Sequence, residues 1–255
     1  MTVTALKLLG LCSMLWDHFS AIFQPGLYLP GPLARVVPYF GRLAAPIFLY
    51  SLVSGFRHTR DRRRYGVRLL GFALLSQLPY WLFFCGEAHR LGSSSPALGD
   101  IGLNILFTLF LGLVMLSLVE RLWYPHRPAA ILAAAGCMLL ARLLDFEGGE
   151  GYLLIILTLY FLTDGKKRPW QLELLLLLLA VLLGRWRLIL LAAETGMHPS
   201  ILLNTLGPFL GLCLAYFGSD SGKGPAPRWF RWVNYLFYPL HFLVLGLVGL
   251  ALPPL

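Results

Sequence analysis

Apolar runs separated by short polar breaks fill this chain from end to end. They fall at roughly 5–23, 43–57, 66–84, 101–119, 129–144, 151–163, 172–191, 199–217 and 233–251. The runs are rich in leucine, glycine and proline and lack the apolar–polar alternation of barrel strands, so they read as helices. Those beginning after Leu43, Ala129 and Gly151 fall short of the ~20 residues that cross a bilayer unaided, which predicts tilted, broken or buried segments. The expected fold is all-α, a polytopic transmembrane helical bundle of about nine spans, in one integral-membrane domain over residues 1–255. The first run has no small-residue cleavage site before Gln24-Pro25 and reads as a retained helix. The absence of a long hydrophilic insert or internal repeat weakens an inverted-repeat transporter plan.

Composition removes the soluble alternative. Hydrophobic residues make up 58% and charged residues 13% of the chain, and mean hydropathy is +0.71, values that belong to membrane proteins. A formal net charge of +9 would point a soluble protein toward nucleic acid. Here the basic residues stand between spans and mark the cytoplasmic side, so the expected partner is the lipid bilayer and no nucleic acid. With Lys7 inside, one side collects Lys7, Arg57, Arg60, Arg62, Arg63, Arg64, Arg121, Arg127, Lys166, Lys167, Arg168, Lys223, Arg228 and Arg231, 14 residues in all. The other side holds 6, namely Arg35, Arg42, Arg90, Arg142, Arg185 and Arg187, together with acids that include Glu87 and Asp145. This asymmetry predicts an inside amino terminus, an outside carboxyl terminus and an odd number of crossings. Cys12, Cys85, Cys137 and Cys213 stand one to a run with no CxxC pair; they read as core fillers, and no metal is expected.

Charge inside an apolar run is the informative exception. LKLLGLCSMLWDHFSAIF places Asp17 and His18 side by side, ~15 Å along the helix from Lys7 and so near the middle of a ~30 Å hydrocarbon core. A charged Asp at a helix centre costs about 2.5–3.5 kcal/mol on insertion scales, so it is expected to face a partner or a water-filled cavity. Adjacent helical residues point ~100° apart, which sends Asp17 toward Ser13 or Ser20 on its own face, or toward a neighbouring helix, and His18 into a separate groove. A neutral imidazole suits removal of a proton from an amine or hydroxyl. The plain alternative is that the two residues are interhelical glue.

Further polar residues widen the picture. In GFRHTRDRRRY, positive-inside topology accounts for the charge, and the sharper reading is that Arg57, His58, Arg60 and Arg63 bind an anionic, nucleotide-like cytoplasmic ligand. YLFYPLHFLVL puts His241 ~15 Å beyond Arg231, with Tyr238 on the same face and Pro239 freeing a backbone carbonyl. LNILFTLFLGL places Asn104 and Thr108 on one face, and Gln77 in SQLPY precedes Pro79. Packing explains each of these alone; together with His18 they could line one polar chamber.

Taken in order, LKLLGLCSMLWDHFSAIF, GRLAAPIFLYSLVSGFRHTRDRRRYGVRLLGFALLSQLPY, LNILFTLFLGL and YLFYPLHFLVL resemble the TraX family, named for the conjugative F-pilin acetylation protein and grouped with the transmembrane acyltransferases. The resemblance implies transfer of an acetyl group from cytosolic acetyl-CoA to an amine or hydroxyl acceptor, whether peptide, sugar or small molecule, in a bacterial inner or plasma membrane. It implies that His18 is catalytic with Asp17 holding its surroundings, that Arg57, His58 and Arg60 lie at the cofactor entrance, and that Asn104, Tyr238 and His241 belong to the polar centre. Asn104 or Thr108 would then donate to the developing oxyanion. Ser54 departs from the pattern, standing where an acidic residue is expected before Gly55-Phe56. Two rival functions remain: a proton-coupled transporter or flippase, and a non-catalytic subunit of an envelope or conjugation complex.

Overall fold

Helices form where the apolar runs are. The computed structural model describes residues 1–29, 33, 37–195, 199–218 and 228–255. The helices are α1 Val3–Phe23, α2 Ala44–His58, α3 Arg62–Arg90, α4 Ile105–Leu122, α5 Arg127–Leu143, α6 Gly149–Leu162, α7 Trp170–Gly184, α8 Trp186–Thr195, α9 Pro199–Gly218 and α10 Arg228–Ala251. Among the described residues there is no strand beyond one isolated bridge, Leu103 to Phe146. Among the described residues four helices contain a segment long and apolar enough to cross a membrane, Val3–Phe23, Arg62–Arg90, Ile105–Leu122 and Trp232–Ala251; Gly149–Leu162 and Trp170–Gly184 are apolar but shorter. The fold is all-α, and the chain is a membrane protein.

One run departs from expectation. The stretch 172–191 is two helices, because Arg185 leaves helical geometry (φ −116°, ψ 21°) and its N–H turns back to the Val181 and Leu182 carbonyls, 3.1 Å from each. Arg185 and Arg187 bracket the break, and a pair of guanidiniums is poorly tolerated in mid-membrane. Cys12 is exposed on α1 and departs from the core-filler expectation, whereas Cys85 and Cys137 are buried. Arg35 and Lys223, used in the charge count, lie outside the described residues.

Two compact units divide the chain: Met1–Phe48, Leu74–Ile101 and Gly196–Leu255 make the first, Leu49–Ala73 and Gly102–Thr195 the second. In the first, α1, the later part of α3, and α10 run parallel. Tyr80 packs on Phe242, while a Cβ added to Gly86 would meet Gly246, and one added to Gly249 would meet Gly86, so both helices advance in the same direction. Their last turns converge on Arg90, which is 7% exposed: its Nε donates to the Ile22 carbonyl at 3.2 Å and its Nη1 to the Pro253 carbonyl, while the Leu255 N–H returns to the Arg90 carbonyl at 2.8 Å. A 3-10 segment, Val37–Leu43, lies against α1 and α9.

In the second unit α4, α5 and α6 pack on one another and α7 packs on α6. Gly151 and Gly184 let α6 and α7 touch at the backbone, where a Cβ on Gly151 would stand 2.2 Å from the Gly184 carbonyl oxygen. The α6–α7 turn is closed by Asp164, which accepts from both terminal nitrogens of Arg168 at 3.0 and 2.8 Å. That hydrogen bonding pulls the Asp164 carboxyl down to about 2.

The helix contacts carry a direct test. A Cβ at Gly246 would lie 2.8 Å from the Leu82 backbone, which cannot step aside, whereas one at Gly71 meets nothing within 4 Å. Gly246→Ala is expected to lower stability by about 1–3 kcal/mol. Gly71→Ala should raise it by up to about 1 kcal/mol through helix propensity. Thermal unfolding of the two variants in detergent checks the pair.

Candidate functional site

The parallel packing of α1, α3 and α10 brings two imidazoles together inside the first unit. His18 Nδ1 lies 2.9 Å from His241 Nε2, and His241 Nδ1 lies 2.9 Å from the Phe237 carbonyl one turn earlier on α10. A carbonyl only accepts, so His241 Nδ1 carries the proton and, in the neutral ring, Nε2 is the acceptor. His18 Nδ1 must then be the donor between the rings. The Met14 carbonyl, one turn back on α1, also hydrogen bonds the His18 ring. His18 is left with an unprotonated Nε2 that no described residue engages.

Aromatic rings fix this pair. Phe83 meets His18 edge-on at 5.1 Å, Phe242 lies 4.4 Å from His18 and 4.2 Å from His241, and Phe237 stacks on His241 at 5.1 Å. Tyr238 is buried and approaches His241 at 5.7 Å. His241 is 6% exposed, and His18 is half-buried. On α1 itself His18 lies ~22 Å from Val3 and ~7.5 Å from Phe23. The pair therefore occupies the last third of the helix.

Asp17 does not bond Ser13 or Ser20. It faces Arg42 of the 3-10 segment, Oδ2 to Nη1 3.4 Å, and a Cβ on Gly41 would strike Asp17 itself at 2.3 Å. Ser13 instead donates to the Phe40 and Gly41 carbonyls at 2.9 and 3.0 Å, Trp16 Nε1 donates to the Val37 carbonyl at 2.8 Å, and Ser20 Oγ is buried without a partner. The irregular segment thus docks through α1 side chains, because its carbonyls lack the ladder partners of an α-helix. Glu87 on α3 lies close enough to feel both Asp17 and Arg42. Sequence reasoning counted Arg42 and Glu87 as outer-side charges and missed both; their signal was spatial, set by a segment whose fold no periodicity announces.

The remaining predicted residues are placed as follows. Asn104 caps α4, its Oδ1 accepting from the Leu106 N–H at 3.1 Å and its Nδ2 donating to the Ala73 carbonyl at 2.9 Å. Thr108 donates to the Glu147 carbonyl at 2.7 Å. Both are fully buried and engaged in these hydrogen bonds. Gln77 is half-buried on α3, two residues before Pro79.

Arg57 is held by the end of α6: Nε donates to Thr163 Oγ1 at 2.8 Å, Nη2 donates to the Tyr160 carbonyl, and the guanidinium lies 4.6 Å over the Tyr160 ring. His58 bonds the Ser54 carbonyl at 2.7 Å, and Arg62 pairs with Glu120. Arg60 and Arg63 are exposed, with no partner among the described residues. Among those residues no group of three or more His, Cys, Asp or Glu side chains is placed to hold a metal ion.

Fold and site together define an all-α membrane protein organised around a hydrogen-bonded pair of imidazoles. The model of the TraX protein family matches residues 2–249, and the chain belongs to that family. It is similar to the "Probable fimbrial assembly protein FimC, serogroup H1" of Dichelobacter nodosus, 28% identical over 243 residues that cover 94% of this chain and 92% of the relative. No solved structure matches.

The docking of the 3-10 segment is open to measurement. Ser13→Ala removes the donor from two carbonyls and is expected to cost about 1–3 kcal/mol. Ser20→Ala, which breaks no bond, should stay within about 0.5 kcal/mol of wild type in the same thermal unfolding assay.

Proposed function

We propose that the protein is a membrane-embedded acetyltransferase in which His18 is the general base. The observation that carries this reading is the tautomer enforced by the Phe237–His241–His18 relay, which leaves the His18 Nε2 lone pair as the group able to take a proton. As an acceptor amine attacks the thioester carbonyl of acetyl-CoA, His18 Nε2 removes its proton, the new C–N bond forms, the C–S bond breaks and the departing CoA thiolate takes that proton back from the His18 imidazolium. His241 stabilises the resulting imidazolium by accepting from its Nδ1–H, in the way a second group orients a catalytic histidine. An acetyl-His18 intermediate is the covalent variant of the same site.

Arg60 and Arg63 suit the phosphates of the donor, being exposed and uncommitted, whereas Arg57 and His58 shape the turn that presents them. Asp17 and Glu87 against the lone Arg42 leave an acidic surplus beside His18, which favours an amine acceptor over a hydroxyl. A description of the Dichelobacter relative as a fimbrial assembly protein supports a pilin-like peptide as the source of that amine.

Purified protein in detergent with acetyl-CoA provides the test, with thiol release reporting turnover and calorimetry reporting binding. His18→Ala should reduce release by ~10²–10⁴-fold while acetyl-CoA still binds. His241→Asn, which keeps an acceptor for the His18 Nδ1–H, should fall between wild type and His241→Leu. Arg60→Gln/Arg63→Gln should weaken acetyl-CoA about ten-fold and leave acetyl-pantetheine, which lacks the nucleotide phosphates, unchanged. Folded wild-type protein that binds no acetyl-CoA would sink the reading and leave proton-coupled transport, measured as flux in proteoliposomes, as the function to test.

A further inference from the structure

A cavity of about 200 Å³ opens in the second unit between α4, α5 and α6. Its wall is apolar, made by Val119 and Trp123 of α4, Ala130, Ala134 and Met138 of α5, and Phe161 of α6. Ala130 and Ala134, one turn apart and buried, create the space, since a larger side chain at either position would fill it. From Ala130 to Met138 the slot follows ~12 Å of α5 away from the α4–α5 connection.

That connection is cationic. The Arg127 guanidinium sits 5.9 Å over the Trp123 ring, so one residue of the slot wall is also the platform for a charge at its mouth. Arg127 is exposed and has no acidic partner among the described residues. The nearby acid Glu120 is paired with Arg62 and does not neutralise it. An apolar slot headed by an unneutralised arginine and a tryptophan matches the two-part chemistry of a lipid with an anionic head.

We propose that this slot is a binding site for an anionic glycerophospholipid, with one acyl chain between α4, α5 and α6 and the phosphate on Arg127. The site is independent of acetyl transfer, because none of its residues takes part in the imidazole relay or the donor-binding turn. Charge complementarity selects the lipid over a protein helix: a partner helix would need an acidic end and would find a slot only as deep as two turns of α5.

Intact protein in nanodiscs containing chain-brominated phosphatidylglycerol or chain-brominated phosphatidylcholine tests this, with the difference in fluorescence between wild type and Trp123→Phe isolating the Trp123 signal. Phosphatidylglycerol should quench that signal at lower mole fraction, by up to about five-fold, from ~1 kcal/mol for one arginine. The preference should disappear in Arg127→Gln, whose exposed position leaves folding intact. Ala134→Leu should reduce quenching by either lipid. Equal quenching by the two lipids in wild type, a preference that survives loss of Arg127, or quenching unchanged by Ala134→Leu would each overturn the proposal. So would the absence of quenching in discs that carry two copies, which would assign the slot to a second protein chain.

Discussion

Arg90 is the interaction on which the first unit depends. Its guanidinium is buried where α1, α3 and α10 end, and it supplies donors to carbonyls that the helices themselves leave open. A cation in such a place is costly unless every neighbour accepts from it. The carbonyls of Ile22 and Pro253 do so, and the returning Leu255 N–H closes the loop. Three ends tied at one point force the three helices to run parallel. Gly86, Gly246 and Gly249 then allow α3 and α10 to approach at the backbone, with packing in place of the hydrophobic effect as the cohesive force. His18, Phe83 and His241 face one another as a consequence.

The imidazole relay shows how backbone geometry sets chemistry. A neutral histidine has one donor and one acceptor, and which nitrogen is which is decided by the first obligatory partner. On α10 that partner is the Phe237 carbonyl, and the choice propagates through His241 to His18. Aromatic rings on three sides hold both imidazoles near their hydrogen-bonding geometry. Asp17, adjacent in sequence to His18, takes no part in the relay because it points toward the 3-10 segment and Arg42.

Much of this was legible in the sequence, and the parts that were not share a cause. Helix positions followed from apolar runs, because a membrane protein must place its backbone polar groups inside helices wherever lipid surrounds them. His18 and His241 stood out as polar groups in apolar runs, and Tyr238 as a neighbour of His241 on one face. The break at Arg185 was hidden because it does not interrupt an apolar run, and the 3-10 segment because it falls between the first two runs, where no periodicity marks a fold. Arg42 and Glu87 were invisible for the same reason: they join Asp17 through a segment of irregular backbone that period-based reading passes over. Asn104 and Thr108 stood out as polar residues of an apolar run, and the structure engages both in hydrogen bonds at the start of α4.

Satisfied polar groups fix the scaffold. In the second unit Asn104, Thr108, Arg57 and Glu147 are engaged in hydrogen bonds that fix helix ends and turns. Ser20 Oγ, Ser76 Oγ and Asn234 Oδ1 on α1, α3 and α10 of the first unit, and Arg68 Nε in the second, are buried without partners, and His18 Nε2 is unengaged. Open atoms in both units mean that the lack of a partner does not by itself mark a site. What distinguishes His18 Nε2 is the relay from the Phe237 carbonyl through His241, which fixes where its lone pair stands.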